Sequence, residues 1–236
     1  ILVMEFLDGV FAENLTDVAS VTSTTGRVGQ AALFTKANAN YLTRDSDAVL
    51  QLGQTNMTIA SWCYLNSKPN DNMAIIGKGR FVNPADGEYL LYWGSATDLF
   101  YFDVGNGSVI GSTSAGTFGS PSTATWYLVV GMYDSAGGRL MIQVNNSATD
   151  GTVYTSGGQA SNQGFNIGRW SDGTGFFDGR IDEAGIWKGR VLSSAERSDL
   201  YNSGAGRTYP FSTVGVGSGA EYEYWFYVNS DNFLTF

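Results

Sequence analysis

The chain has no histidine, so its 22 acidic residues and its single cysteine must carry whatever acid, base or nucleophile chemistry it performs. That absence removes the commonest general base, the usual zinc ligand and every Ser-His or Cys-His nucleophile pair. Cys63 lies in the apolar run MTIASWCYL with no base to activate it, and it reads as a buried structural thiol on the face opposite Trp62. With no second cysteine it forms no internal disulfide. Carboxylates remain. A glycoside hydrolase of the retaining type needs two acids on one face, about 5 Å apart. Asp182 and Glu183 are adjacent, so a regular strand points them to opposite faces. Glu221 and Glu223 alternate correctly but lack flanking strand context. The acids therefore point to a non-catalytic protein.

Two other groupings bear on binding. The segments Asn83-Pro84-Ala85-Asp86-Gly87-Glu88 and Trp170-Ser171-Asp172-Gly173 collect carboxylate, amide and hydroxyl oxygens between strands, the donors that calcium takes. Asp-Gly in each place also makes a turn on its own. Aromatic side chains near loop rims and sheet faces, namely Tyr92, Trp93, Tyr101 and Trp170, are candidates to stack on a sugar ring, with Trp170 beside Asp172 the foremost. Trp62, Trp126 and Trp187 fall within apolar strands and read as core.

These groups need a scaffold, and the chain's periodicity supplies one. Apolar alternation predicts strands near 2–7, 30–35, 39–43, 57–65, 73–79, 87–93, 98–104, 107–112, 126–133, 139–145, 149–155, 164–169 and 177–187. The periodicity then changes once: Ser193 and Glu196 form a capping box, Leu192, Ala195 and Leu200 a short apolar stripe, and Gly204 a stop, predicting a helix near 194–202. Gly 31 against Pro 4 fits many tight reversals between short strands. The expected fold is all-β, a two-sheet antiparallel sandwich with one short C-terminal helix. Residues 1–213 form the domain, 214–220 (VGVGSGA) a flexible link, and 221–236 an aromatic tail.

Acids outnumber Lys+Arg 22 to 13, a net charge of −9, and the cations form no stripe, which argues against a nucleic-acid partner. No apolar run approaches the roughly 20 residues that span a bilayer. In the tail, Tyr222, Tyr224, Trp225, Phe226 and Tyr227 alternate with Glu221 and Glu223 well enough to form a strand. Such a strand can add to another protein's sheet edge, which would make these residues an assembly surface, or it can return to its own sheet.

RIDEAGIWKGRVLSSAERSDLYNSG resembles the closing segment of laminin-G-like, concanavalin A-type jelly rolls in the branch related to pentraxins. GRVGQAALFTKANANYLT, MTIASWCYL, AIIGKG and TWYLVVGMYD resemble the same family's successive strands in the same order. FGSPSTATWYLVV and the ending SDLYNSGAGRTYPF are similar to domains of phage and metagenomic virion proteins. The resemblance implies a concave outer sheet face and loop rims available for ligands. It implies a calcium rim site built from Asp86, Glu88 and Asp172, although the family's run of acids in the second loop is reduced here to Asp172. Relatives that are glucanases carry a Glu-x-Asp-x-x-Glu pattern, which this chain lacks. The resemblance further implies a non-catalytic glycan-binding or adhesion module on a virion surface or otherwise extracellular, with surface glycans, other virion proteins or its own copies as partners. A structural virion protein that assembles through the tail is the alternative.

Overall fold

Apolar residues at every second position give these strands one face to bury, and pairing edge to edge produces two sheets that bury those faces against each other. The computed structural model describes residues 2–6, 13–46, 48–79, 83–207 and 222–228. In chain order the strands are β1 (Leu2–Phe6), β2 (Glu13–Asn14), β3 (Thr16–Val18), β4 (Thr22–Thr25), β5 (Gln30–Phe34), β6 (Tyr41–Arg44), β7 (Met57–Leu65), β8 (Met73–Gly79) and β9 (Gly87–Gly94). They continue as β10 (Leu99–Gly105), β11 (Ile110–Ser114), β12 (Trp126–Asp134), β13 (Arg139–Val144), β14 (Asp150–Val153), β15 (Phe165–Ile167), β16 (Gly179–Lys188) and β17 (Tyr222–Val228). A single α-helix, α1 (Ser194–Tyr201), follows β16 among the described residues.

Among the described residues the larger sheet has ten strands, ordered β14-β13-β12-β7-β16-β5-β17-β1-β2 with β4 beside β5, and the smaller has seven, ordered β11-β10-β9-β8-β15-β6-β3. The architecture is the antiparallel jelly-roll sandwich that the sequence leads one to expect. β3 and β4 were not expected: TDV and TSTT are exposed and hydroxyl-rich, with no apolar alternation to reveal them. The core between the sheets takes alternate residues, among them Ile59 and Cys63 from β7, Tyr89, Leu91 and Trp93 from β9, and Phe100 and Phe102 from β10. At Gly131 a Cβ would stand 2.5 Å from the Phe102 ring, so glycine lets the two sheets meet there.

The outer face of the larger sheet is also apolar. Trp62, Leu128, Val130, Met132 and Trp187 form a second cluster with Leu192 and Leu200, so α1 is fastened over this face. Trp62 stacks on Tyr201 with ring centroids 5.8 Å apart. Tryptophans 62 and 187 are thus buried as expected, but beneath the helix rather than between the sheets. Ser193 caps α1: its hydroxyl accepts from the Glu196 amide, and the Glu196 carboxylate accepts from the Ser193 amide. Ser193→Ala is expected to lower stability by about 1 kcal/mol, read as an earlier urea midpoint with unchanged slope.

Of the two courses open to the tail, the structure shows the return to its own sheet. Its strand β17 pairs along one edge with β16, from Ala184↔Phe226 to Lys188↔Tyr222, and along the other with β1, from Leu2↔Val228 to Phe6↔Tyr224. Tyr224, Trp225 and Phe226 therefore have both backbone edges engaged within the chain's own sheet, while Tyr222 pairs with Lys188 alone and Tyr227 with Val3 alone. Over Tyr224, Trp225 and Phe226 no edge is left to accept a foreign strand, because each strand has only two. The link at 214–220 lies outside the described residues.

Candidate functional site

The smaller sheet turns a second set of residues outward. In β9 and β10 the inward residues are Tyr89, Leu91, Trp93, Phe100, Phe102 and Val104, so Tyr92, Tyr101 and Asp103 point away from the core. The register sets Tyr92 opposite Tyr101, and Asp103 opposite Ser112 of β11. The two tyrosine rings stack with centroids 5.1 Å apart and planes 17° apart. Gly94 makes this geometry available, since a Cβ there would lie 2.8 Å from the Tyr101 ring.

Trp170 completes the group. The loop after β15 folds back on itself, with Trp170 N donating to the Thr174 carbonyl at 2.9 Å. Ser171 Oγ donates to the Gly164 carbonyl at 2.9 Å and accepts from Asn166 Nδ2 at 2.9 Å, fixing the loop over β15. The Trp170 ring then meets Tyr92 edge to face at 6.1 Å. Arg169, next in the loop, turns the other way and lies over the Tyr41 ring at 3.6 Å. Tyr101, Tyr92 and Trp170 are each half-buried and form a continuous aromatic row.

A carboxyl lies behind that row. Asp103 is 7% exposed, its Oδ1 accepts from Ser112 Oγ at 2.5 Å, and Tyr92 lies diagonally across the ladder on the same face. Burial lifts the Asp103 carboxyl to about 7, against the opposing pull of Ser112 and Tyr92. Burial and then the Asp103 charge push the Tyr92 hydroxyl far above the usual phenol range. The sequence reading missed Asp103. Its signal was available: an acid two residues from Tyr101 in the strand LFYFDVG occupies the same outward face.

The structure corrects other candidates. Trp93 is 2% exposed and belongs to the core, with its indole donating to Asp98 Oδ1 at 2.8 Å. It is one of three inward residues of β9 and presents no face to a sugar. Glu88 lies in the interior, not at a rim. The ladder between β8 and β9 pairs Lys78 with Tyr89 and then Gly79 with Gly87, so Glu88 is the extra residue of a bulge. Its carboxylate accepts from Lys78 Nζ at 2.8 Å, Ser161 N at 3.0 Å, Ser161 Oγ at 2.9 Å and the Leu52 amide. Asp86 instead accepts from Asn83 Nδ2 at 3.2 Å and Gln163 Nε2 at 3.4 Å. Asp172 holds its own turn, accepting from Thr174 N at 3.0 Å and Thr174 Oγ1 at 2.6 Å. Asp86, Glu88 and Asp172 thus serve separate local networks. Among the described residues no three acids or cysteines gather as a metal would require. This donor set does not fit calcium.

The adjacent acids of β16 also depart from expectation. Ile181, Ala184 and Ile186 are in the core, so two residues rather than one separate the first inward pair. The register with β7 shifts between Asp182 and Gly185, and Glu183 adopts φ 44°. Strict alternation fails at this bulge. Asp182 Oδ2 accepts from Val28 N at 2.9 Å, and a Cβ at Gly26 would stand 2.5 Å from that oxygen, so the GRVG turn closes on the carboxylate. Asp182 Oδ1 and Glu183 Oε2 are buried without hydrogen-bond partners. Cys63 is fully buried, and burial pushes its thiol well above the usual range, in keeping with an inert core residue.

The family model of the concanavalin A-like lectin/glucanases superfamily matches residues 36–196, more than half of the chain. The chain belongs to this family. No curated protein matches the chain. Among solved structures it is similar to domain 4 of AbnA, a GH43 extracellular arabinanase from Geobacillus stearothermophilus, in complex with arabinotriose. The identity is 17%, the TM-score 0.54, and the match covers 78% of this chain and 86% of that one. A putative carbohydrate binding protein from Bacteroides ovatus matches at 20% identity and TM-score 0.55, covering 75% of this chain and 46% of that one. The botulinum neurotoxin serotype G binding domain matches at 15% identity and TM-score 0.59, covering 80% of this chain and 46% of that one. At these identities the likeness shows a shared fold.

Proposed function

We propose that this member of the concanavalin A-like family is a non-catalytic glycan-binding module, displayed on a virion or other extracellular surface, whose binding face is the outer side of the smaller sheet. The observation that carries the reading is the half-exposed row Tyr101, Tyr92 and Trp170, backed by the hydrogen-bonding pair Asp103 and Ser112. Aromatic faces with a few fixed polar groups are what a saccharide site requires. Similarity in fold to a domain solved with arabinotriose and to a carbohydrate binding protein supports the same reading. Hydrolysis finds no support here. It needs two carboxyls, and burial, Ser112 and Tyr92 account for the forces on Asp103 without a second acid.

The test is a glycan array followed by calorimetry on whichever oligosaccharide is retained. Trp170→Ala and Tyr92→Ala are each expected to weaken that binding about tenfold or more, as loss of a central aromatic contact does. Retention unchanged in both variants would move the site elsewhere.

A further inference from the structure

Asp103 is a buried carboxyl beneath the aromatic row, bonded to Ser112 of the neighbouring strand. The groups around it are few. From β9 it faces Tyr92 and lies opposite Leu90, from β11 it faces Ser112, and on its own strand its outward neighbour is Tyr101. No charged side chain acts on it from these elements. The nearby loop's charges are spent elsewhere: Arg169 lies over Tyr41 and donates to Asn166 Oδ1 at 3.3 Å, while Asp172 is bonded to Thr174.

This arrangement fixes what charge the row tolerates. An ionised carboxylate only accepts, so the Ser112 hydroxyl hydrogen is committed to Asp103. The charge beneath the row repels a ligand carboxylate across a partly desolvated surface. Once Asp103 takes up a proton, the repulsion disappears and the carboxyl gains a hydrogen to donate.

Resting on the glycan-binding reading above, we infer that Asp103 decides the charge class of the saccharide: ionised, it restricts the aromatic row to uncharged sugars, and protonated, it admits sugars bearing a carboxylate. The change falls near neutrality, because burial has raised this carboxyl to about 7.

The experiment uses the full chain on an array of matched neutral and acidic oligosaccharides, lactose with 3′-sialyllactose among them, at pH 5.5 and 8.5. At pH 8.5 only neutral glycans are expected to be retained, and at pH 5.5 acidic ones gain at least about tenfold. Asp103→Asn is expected to bind both classes at both pH values. Tyr92→Phe keeps the stacked ring and the carboxyl, and is expected to keep the pH response. Acidic and neutral glycans bound alike by the unaltered protein at pH 8.5, an unchanged pH response in Asp103→Asn, or its loss in Tyr92→Phe overturns the inference and leaves the glycan-binding reading standing. Retention of no glycan at either pH overturns both.

Discussion

Lys78→Met is expected to cost about 3–5 kcal/mol of folding stability. The Lys78 and Glu88 side chains are both 0% exposed and joined at 2.8 Å. Lys78 Nζ also donates to the Ser161 carbonyl at 2.6 Å, and Glu88 holds Ser161 and Leu52 through their amides. The pair therefore ties β8 and β9 to the segments before β7 and before β15. Taking two charges out of water is expensive, and mutual attraction with complete hydrogen bonding is what offsets it. Methionine fills the volume of the lysine stem but leaves Glu88 charged in the interior with its cationic partner gone. Lys78→Met combined with Glu88→Gln should regain part of the loss, because no charge is left buried and the amide oxygen can still accept from the Ser161 amide and hydroxyl, although it no longer accepts from Leu52 as well. Urea unfolding at pH 7 reads both. A single variant within about 1 kcal/mol of the parent, or a double variant less stable than the single, contradicts the account.

The same pair shows why some of the site was hidden in the sequence. Alternation predicts β9 accurately and turns Tyr92 outward, and with it the stacked pair Tyr92 and Tyr101. Alternation assumes an unbroken ladder, however, and the bulge at Glu88 breaks it. A residue assigned to a loop rim thus becomes a buried ion-pair partner. The bulge at Glu183 defeats the opposite-faces argument for Asp182 and Glu183 in the same way. Trp93 was mistaken for a surface group because tryptophan suggests sugar stacking, whereas its phase in β9, shared with Tyr89 and Leu91, already puts it inside. Trp170 was found through its loop composition, but its contact with Tyr92 joins residues far apart in sequence and no local pattern encodes it. The helix was legible nearly to the residue because capping is a short-range interaction, complete within Ser193 to Glu196.

The second large effect is a dependence of stability on pH that centres on β16. Burial raises the Glu183 carboxyl to about 8, with the neighbouring Asp182 charge adding to the shift, and burial raises Asp182 to about 7. In an unfolded chain the same groups titrate near about 4. Between those values the folded protein holds protons that the unfolded chain has released. Stability therefore falls as pH rises, by the linkage of proton uptake to folding, and levels off above the folded-state values. The window runs from about pH 4 to about pH 8. Asp103, raised to about 7, contributes with the same sign, so the informative quantity is the difference between variant and parent. Glu183→Gln removes the charge while keeping the shape, and it also relieves Asp182 of a like neighbour. It is expected to flatten the fall in melting temperature between pH 5 and 9 and to stabilise the protein at pH 9 by about 1–3 kcal/mol, the usual cost of leaving a buried polar group unpaired. At pH 5, where the parent's Glu183 is already protonated, the two proteins should unfold together. A variant that tracks the parent across the whole pH range would show that Glu183 reaches water or a partner in solution, and that the strained turn at φ 44° does not hold its carboxyl in the interior.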